Sequence, residues 1–256
     1  MTNVLDVAVN DRIATVTMTR PGKRNAMNET LFAALESFFH APPEGVRVVI
    51  LTGTEGHFCA GLDLAEHETR SAEENLHHSR RWHRLMDQIQ LGGLVVVSAM
   101  FGAVIGGGLE LAMMCDLIVV GENAQLAQPE IKVGIMPGAG GTQRLTRAVG
   151  KYNAMKINLL GKPFSGREAF NMGLACEICP DDAVFETALK MATTISRMPP
   201  LAVQNIKQSI LHGQDASIEA GLFLERKAFQ QLFASEDQSE GMQAFIEKRR
   251  PDFSGK

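Results

Sequence analysis

VRVVILTG, residues 46–53, is apolar throughout except for Arg47 and Thr52, rich in β-branched side chains, and closed by glycine. A strand with water on one face alternates apolar and polar residues, whereas one covered on both faces has no reason to, so this run predicts a strand buried on both sides. LVVVSA (94–99) and DLIVV (116–120) repeat the pattern. Stretches of helical spacing, about 73–90 and 108–115, lie between these runs. Strands that alternate with helices need crossover connections and pair mainly in parallel, which makes the fold class α/β.

On the N-terminal side, residues 4–9 and 12–19 alternate around Asn10-Asp11, as a hairpin does, and Arg20-Pro21-Gly22 ends the second strand. Asn28 is placed to cap a helix whose Leu31, Leu35, Phe38 and Phe39 share one face, and Pro42-Pro43 stops it. Residues 64–80 are polar and weakly patterned, a surface segment. From about residue 142 the chain turns helical as far as about 247, with one short strand candidate at 174–178. No linker or low-complexity segment interrupts the 256 residues.

A chain that is 45% hydrophobic and 21% charged can bury a sizeable core, and a net charge of −4 predicts no strong attraction to nucleic acid or an anionic membrane. Any basic substrate-binding patch must be local. Four cysteines (Cys59, Cys115, Cys176, Cys179) are too few for a disulfide scaffold and suggest reduced thiols in the cytoplasm. The N-terminus carries Asp6 and Asp11 and lacks the basic, apolar, small-residue succession of a signal peptide. The most apolar stretch, Leu91 to Met114, has seven Gly or Glu positions and is no membrane span.

Two strand-to-turn junctions could carry chemistry: HFCAGLDL (57–64) and FGAVIGGGLE (101–110). Glycines 106–108 let a backbone approach a ligand, and free N–H groups there could hold a developing anion; the plainer reading is relief of crowding between helix and sheet. Glu110 lies among Leu109, Leu111, Ala112 and Met113, where a carboxylate is costly to bury unless paired or functional. Glu130 alone would pass for a surface residue, yet the loop that follows is glycine-rich and apolar at Val133, Ile135 and Met136.

FCAGLDL (58–64), GAVIGGGLELAMMCD (102–116) and QPEIKVGIMPGAGGTQRL (128–145), in this order and spacing, resemble the signature stretches of the crotonase (enoyl-CoA hydratase/isomerase) superfamily. The likeness runs from RPGKRNAMN (20–28) to EGMQAFIEKRRPDF (240–253). It implies a ββα spiral core over residues 1–195 and a helical C-terminal region, 196–256, that joins subunits into a homotrimer or homohexamer. The implied activity is addition of water to a 2-enoyl-CoA, as in fatty acid β-oxidation. No metal or separate cofactor is implied, since coenzyme A is part of the acyl-CoA substrate.

By matching motif positions, the resemblance puts an oxyanion hole on the N–H groups of Leu62 and Gly107 and the two carboxylates on Glu110 and Glu130. Glu110 is assigned to water activation and Glu130 to protonation of the α-carbon, with Gly138 helping to hold the water. Coenzyme A contacts fall on Lys23, Arg24, Ala60, Asp63 and Leu64, and on Phe245 and Lys248, which in some members reach over from a neighbouring subunit. Ala65 stands where hydratases commonly have Lys, and Phe101 where Asn or His is frequent.

Within the superfamily, an isomerase needing one carboxylate and an aryl-propenoyl-CoA hydratase-lyase stay open. A non-catalytic, RNA-associated relative would need a basic helix, but 181–197 carries Asp181, Asp182 and Glu186 beside only Lys190 and Arg197. Cys176-Glu177-Ile178-Cys179 has redox spacing but no second pair, and His67, His77, His78 and His83 with Trp82 read as a solvated face. GAGGTQ lacks the context of a dinucleotide fingerprint.

Overall fold

Asp11, in the left-handed region at φ 53°, closes a tight hairpin between β1 (Leu5–Asn10) and β2 (Ile13–Met18). This opens a computed structural model that describes residues 4–67 and 70–256. Helix α1 (Glu29–His40) follows, its N-terminus satisfied by Asn28, whose side chain accepts the N–H of Leu31. Then come β3 (Val48–Gly53), α2 (Leu64–His67), α3 (Ala72–Gln90), β4 (Val95–Met100), β5 (Ala103–Ile105), α4 (Gly107–Met113), β6 (Leu117–Gly121) and β7 (Gln125–Ala127). The remainder is α5 (Gly141–Leu160), β8 (Phe164–Ser165), α6 (Gly166–Asn171), β9 (Glu177–Cys179), α7 (Val184–Ser196), α8 (Pro200–Gly213), α9 (Ile218–Leu232) and α10 (Glu236–Glu247).

The main sheet runs β1-β2-β3-β4-β6-β9, parallel except for the β1–β2 hairpin. Its central strands are covered on both faces, which explains their lack of alternation. Val48, Ile50, Val95, Val97 and Val119 pack against Val184, Ala188 and Ala192 of α7. Val49, Leu51, Val96, Met100 and Val120 face the larger core, which takes in Phe32 and Leu35 of α1 and Leu85 and Ile89 of α3.

Three sequence readings need correction. Short strands β5, β7 and β8 form a second sheet that the sequence did not announce, because two or three residues are too few to show a period. The strand expected at 174–178 lies at Glu177–Cys179, because residues 172–173 still turn out of α6 and pairing with β6 begins only at Cys176, whose N–H donates to Ile118 O. His78 and Trp82 are buried rather than solvated: Trp82 Nε1 donates to His78 Nε2 at 3.0 Å, and both rings pack on Phe32. Charged neighbours hid this apolar stripe of α3. Of the polar 64–80 segment, Glu68 and Thr69 lie outside the described residues.

No helix among the described residues is long and apolar enough to cross a membrane. Helix α8 is pinned to the core by one cation. Lys207 Nζ donates to Asp116 Oδ2 at 2.8 Å and to the carbonyls of Leu94 at 2.6 Å and Ile89 at 3.1 Å, while Asp116 Oδ2 also accepts the N–H of Val96. Removing one partner of a buried pair leaves an uncompensated charge, a loss of about 3–5 kcal/mol. Lys207→Met should therefore lower the unfolding free energy in urea by about that much. The double change Lys207→Met, Asp116→Asn should recover a large part of it, and a single mutant as stable as the parent would mean that α8 is anchored by something other than this cation.

Candidate active site

The chain at 61–63 pairs with Met27, whose N–H donates to Gly61 O at 2.7 Å and whose carbonyl accepts the N–H of Asp63 at 2.8 Å. Backbone groups alternate along an extended segment, so the intervening N–H of Leu62 points away from Met27. It points towards the start of α4. There Gly106, at φ 53° and ψ −122°, turns the chain out of β5 in a conformation open to glycine and hardly to other residues. Gly108 lets α4 seat against the 59–62 segment: a Cβ on it would lie 2.9 Å from both the carbonyl carbon and the Cβ of Cys59. The N–H of Gly107, in the first turn, has no intrahelical acceptor. A Cβ on Gly107 would sit 3.7 Å from Leu62 N, so the two amides are neighbours. Neither makes a hydrogen bond among the described residues.

Glu110, 3% exposed, lies one turn further along α4. Its Oε1 accepts the N–H of Ala139 at 2.8 Å and of Gly141 at 2.7 Å. Burial pushes its carboxyl above the ordinary range, opposed by those two N–H groups and by the charge of Arg144. Arg144 is itself held by Gln90 Oε1, 3.0 Å from its Nε.

Glu130 opens a short 3-10 turn, Glu130–Val133, after Pro129. Burial is the main cause that pushes its carboxyl up to about 7; its own backbone N–H opposes this, and the Glu110 carboxylate adds to it. One oxygen, Oε2, is buried with no hydrogen-bond partner, and Oε1 lies 2.9 Å from where a Cβ on Gly106 would be. The fold thus brings Glu110, Glu130, Leu62 and Gly107 into one place.

Gly138 stands beside this group, but its carbonyl accepts from His83 Nε2 at 3.1 Å, and the amides that reach Glu110 are those of Ala139 and Gly141. Lys23 and Arg24 are exposed on the turn at 21–24, which touches the 58–64 segment through Ala60 N–H and Arg24 O, 3.0 Å apart. The Asp63 carboxylate is taken by Arg20 at 3.0 Å, which holds it below the usual range, and Leu64 is exposed. Phe245, 83% exposed, and Lys248 belong to α10 and its C-terminal cap. No hydrogen bond or ion pair among the described residues joins either side chain to the elements that carry the glutamates.

Reading the sequence missed Ala139 and Gly141 as the groups that hold Glu110, and it missed the burial of Asn25 and Gln128. Asn25 is fully buried and donates to the carbonyls of Thr54 and His57 at 3.1 and 2.8 Å, which ties the 20–28 turn to the loop ahead of Cys59. A lone Asn after Arg24 gives no sign of this.

Residues 8–256 match the model of the enoyl-CoA hydratase/isomerase family. The chain is 39% identical to the 2,3-dehydroadipyl-CoA hydratase of Escherichia coli (strain K12), over 98% of this chain and 99% of that one. It is 38% identical to the mitochondrial enoyl-CoA hydratase of Pongo abelii, over 95% of this chain and 84% of that one. Its fold superposes on the crystal structure of enoyl-CoA hydratase from Bacillus anthracis with a TM-score of 0.95 and 31% identity, over 99% of this chain and 100% of that one.

The Glu130 carboxyl provides a test without substrate. Its folded value of about 7 lies above its ordinary 4.5, so the folded state holds the proton more tightly than the unfolded state does. The stability this contributes is complete below 4.5 and is lost as pH rises through 7. Glu130→Gln has no proton to lose, so its melting temperature should rise relative to the parent between pH 4.5 and 7. A difference that stays constant across that window would mean the carboxyl is not raised.

Proposed function

This chain belongs to the enoyl-CoA hydratase/isomerase family, and we propose that it is a hydro-lyase, an enoyl-CoA hydratase that converts a 2-enoyl-CoA to the 3-hydroxyacyl-CoA. The observation that carries this reading is the pair of carboxyls, Glu110 buried and Glu130 half-buried, in unlike surroundings beside two uncommitted N–H groups. Water attack at C3 moves electron density through C2 onto the thioester oxygen. Leu62 and Gly107 would donate to that oxygen, and losing one such donor typically costs about 10²–10³ in rate. Glu110, with two N–H groups on one oxygen, is the better carboxylate and takes the proton that water gives up. Glu130, whose Oε2 has no donor to favour its charge, is the better acid and delivers a proton to C2. One C–O and one C–H bond form, the C2–C3 π bond breaks, and polarisation comes from backbone dipoles without a metal.

Lys23 and Arg24, exposed and next to Ala60, are suited to the phosphates of coenzyme A, with Leu64 beside them. Phe245 and Lys248, on the exposed surface of the C-terminal helix, are assigned to coenzyme A bound by a neighbouring subunit, in an assembly made by residues 196–256 on the core of 1–195. Helices α8 and α9 support that assembly, since Ile206, Ile210, Leu222, Phe223 and Phe229 are exposed.

Purified protein should bleach the enoyl-thioester absorbance of at least one 2-enoyl-CoA in a panel of short, long and aryl chains. Isomerisation of 3-enoyl-CoA with no hydration would favour the one-carboxylate reaction. Glu110→Gln and Glu130→Gln should each lower kcat by about 10²–10⁴ with coenzyme A binding little changed. Near-parental activity in Glu110→Gln would make that carboxylate structural. Light scattering should report a trimer or a dimer of trimers, and a fully active monomer would remove the role given to Phe245 and Lys248.

A further inference from the structure

Among the described residues, three of the four buried side-chain polar atoms without a hydrogen-bond partner belong to two residues separated only by Pro129: both amide atoms of Gln128 and Oε2 of Glu130. Gln128 is 0% exposed. A carboxamide offers two N–H donors and an accepting oxygen, and leaving such a group unpaired in the interior costs about 1–3 kcal/mol. An apolar side chain of the same shape would avoid that cost. Buried polar groups in this condition usually have a partner that is not part of the protein fold.

The direction of the side chain says where that partner lies. A Cβ on Gly141 would fall inside the contact distance of Gln128 Nε2, 2.8 Å from Pro137 Cβ and 3.0 Å from Glu110 Oε1. The carboxamide and the Glu110 carboxylate therefore converge on the same small space beside Gly141. On the other side of Pro129, Glu130 raises the same demand for a partner. Both amides that restrain Glu110 fall on Oε1, and Oε2 accepts no hydrogen bond among the described residues. A bound water needs two to four polar partners, and these three side chains supply them.

We propose that the Gln128 carboxamide holds the reacting water between Glu110 and Glu130, as a third side chain of the hydration step. This rests on the hydratase reading above. Gln128 moves no proton. Its Nε2 donates to one lone pair of the water and leaves the other lone pair for C3, while the water's own protons face Glu110 and one further acceptor. Orientation of this kind sets the rate rather than substrate affinity, because misplacing a reacting atom by about 1 Å can cost about 10².

The test compares the parent with Gln128→Met, which keeps the shape and removes every hydrogen bond, and with Gln128→Glu, which keeps the shape and can titrate. Gln128→Met should lower kcat about 10–100-fold, leave KM within about twofold and leave the melting temperature unchanged or higher. A residue that only supports the fold would lower the melting temperature and spare kcat. In Gln128→Glu the introduced carboxyl can both donate and accept while it is protonated, whereas its ionised form repels the two glutamates beside it. Activity of Gln128→Glu relative to the parent should therefore rise as pH falls. A folded Gln128→Met with kcat within about twofold of the parent overturns the proposal, as does a Gln128→Glu profile parallel to the parent's should Gln128→Met not fold. A parent that hydrates no enoyl-CoA overturns the hydratase reading itself, and that outcome is distinct from either.

Discussion

The backbone-to-backbone approach of the 59–62 segment and the first turn of α4 is the constraint on which the site depends. Two main chains can lie this close only where side chains are missing, and Gly61 and Gly108 supply that on the two sides of the contact. A Cβ on Gly61 would stand 2.7 Å from the carbonyl oxygen of Ile105. The contact brings Leu62 N beside Gly107 N and fixes the azimuth of α4, which in turn points Glu110 inward. Bulk introduced here would separate the amides and rotate the carboxylate together, so the amide pair and the carboxylate share one mechanical origin.

Around that contact, the two glutamates are distinguished by what the backbone offers them. Glu110 receives two N–H groups from the 138–141 turn, whereas Glu130 begins a 3-10 turn in which its own N–H favours its charge. Burial raises both, and proximity raises Glu130 further. Like charges in a shared apolar site separate into a base and an acid when one is better solvated by the protein than the other.

Support for this arrangement comes from well outside it. Asn25 ties the 20–28 turn to the loop before Cys59, and Lys207 joins α8 to the carbonyl ends around β4 while neutralising Asp116. These polar anchors are buried and partnered, whereas the unpaired buried atoms among the described residues concentrate at Gln128 and Glu130, with Asn158 Oδ1 the one elsewhere. Orphaned polar groups in an otherwise satisfied core each call for a local explanation.

The α/β class and the main sheet were legible in the residues alone. Strands such as 48–53 and 95–100, buried on both faces, must be apolar without alternation, and that signature is local. The hairpin at Asn10-Asp11, the cap at Asn28 and the burial of Glu110 among apolar neighbours could be read for the same reason, since each conflicts or agrees with its immediate neighbours. Everything else waited on the assembled fold. Strands of two or three residues carry no period, so β5, β7 and β8 become a sheet only once their partners are in place. The environments of Glu130 and Gln128, the amides of Ala139 and Gly141 on Glu110, and the burial of His78 and Trp82 all depend on segments distant in the chain. Hydrogen-bond satisfaction and desolvation belong to the three-dimensional neighbourhood of a residue, and no window of sequence contains it.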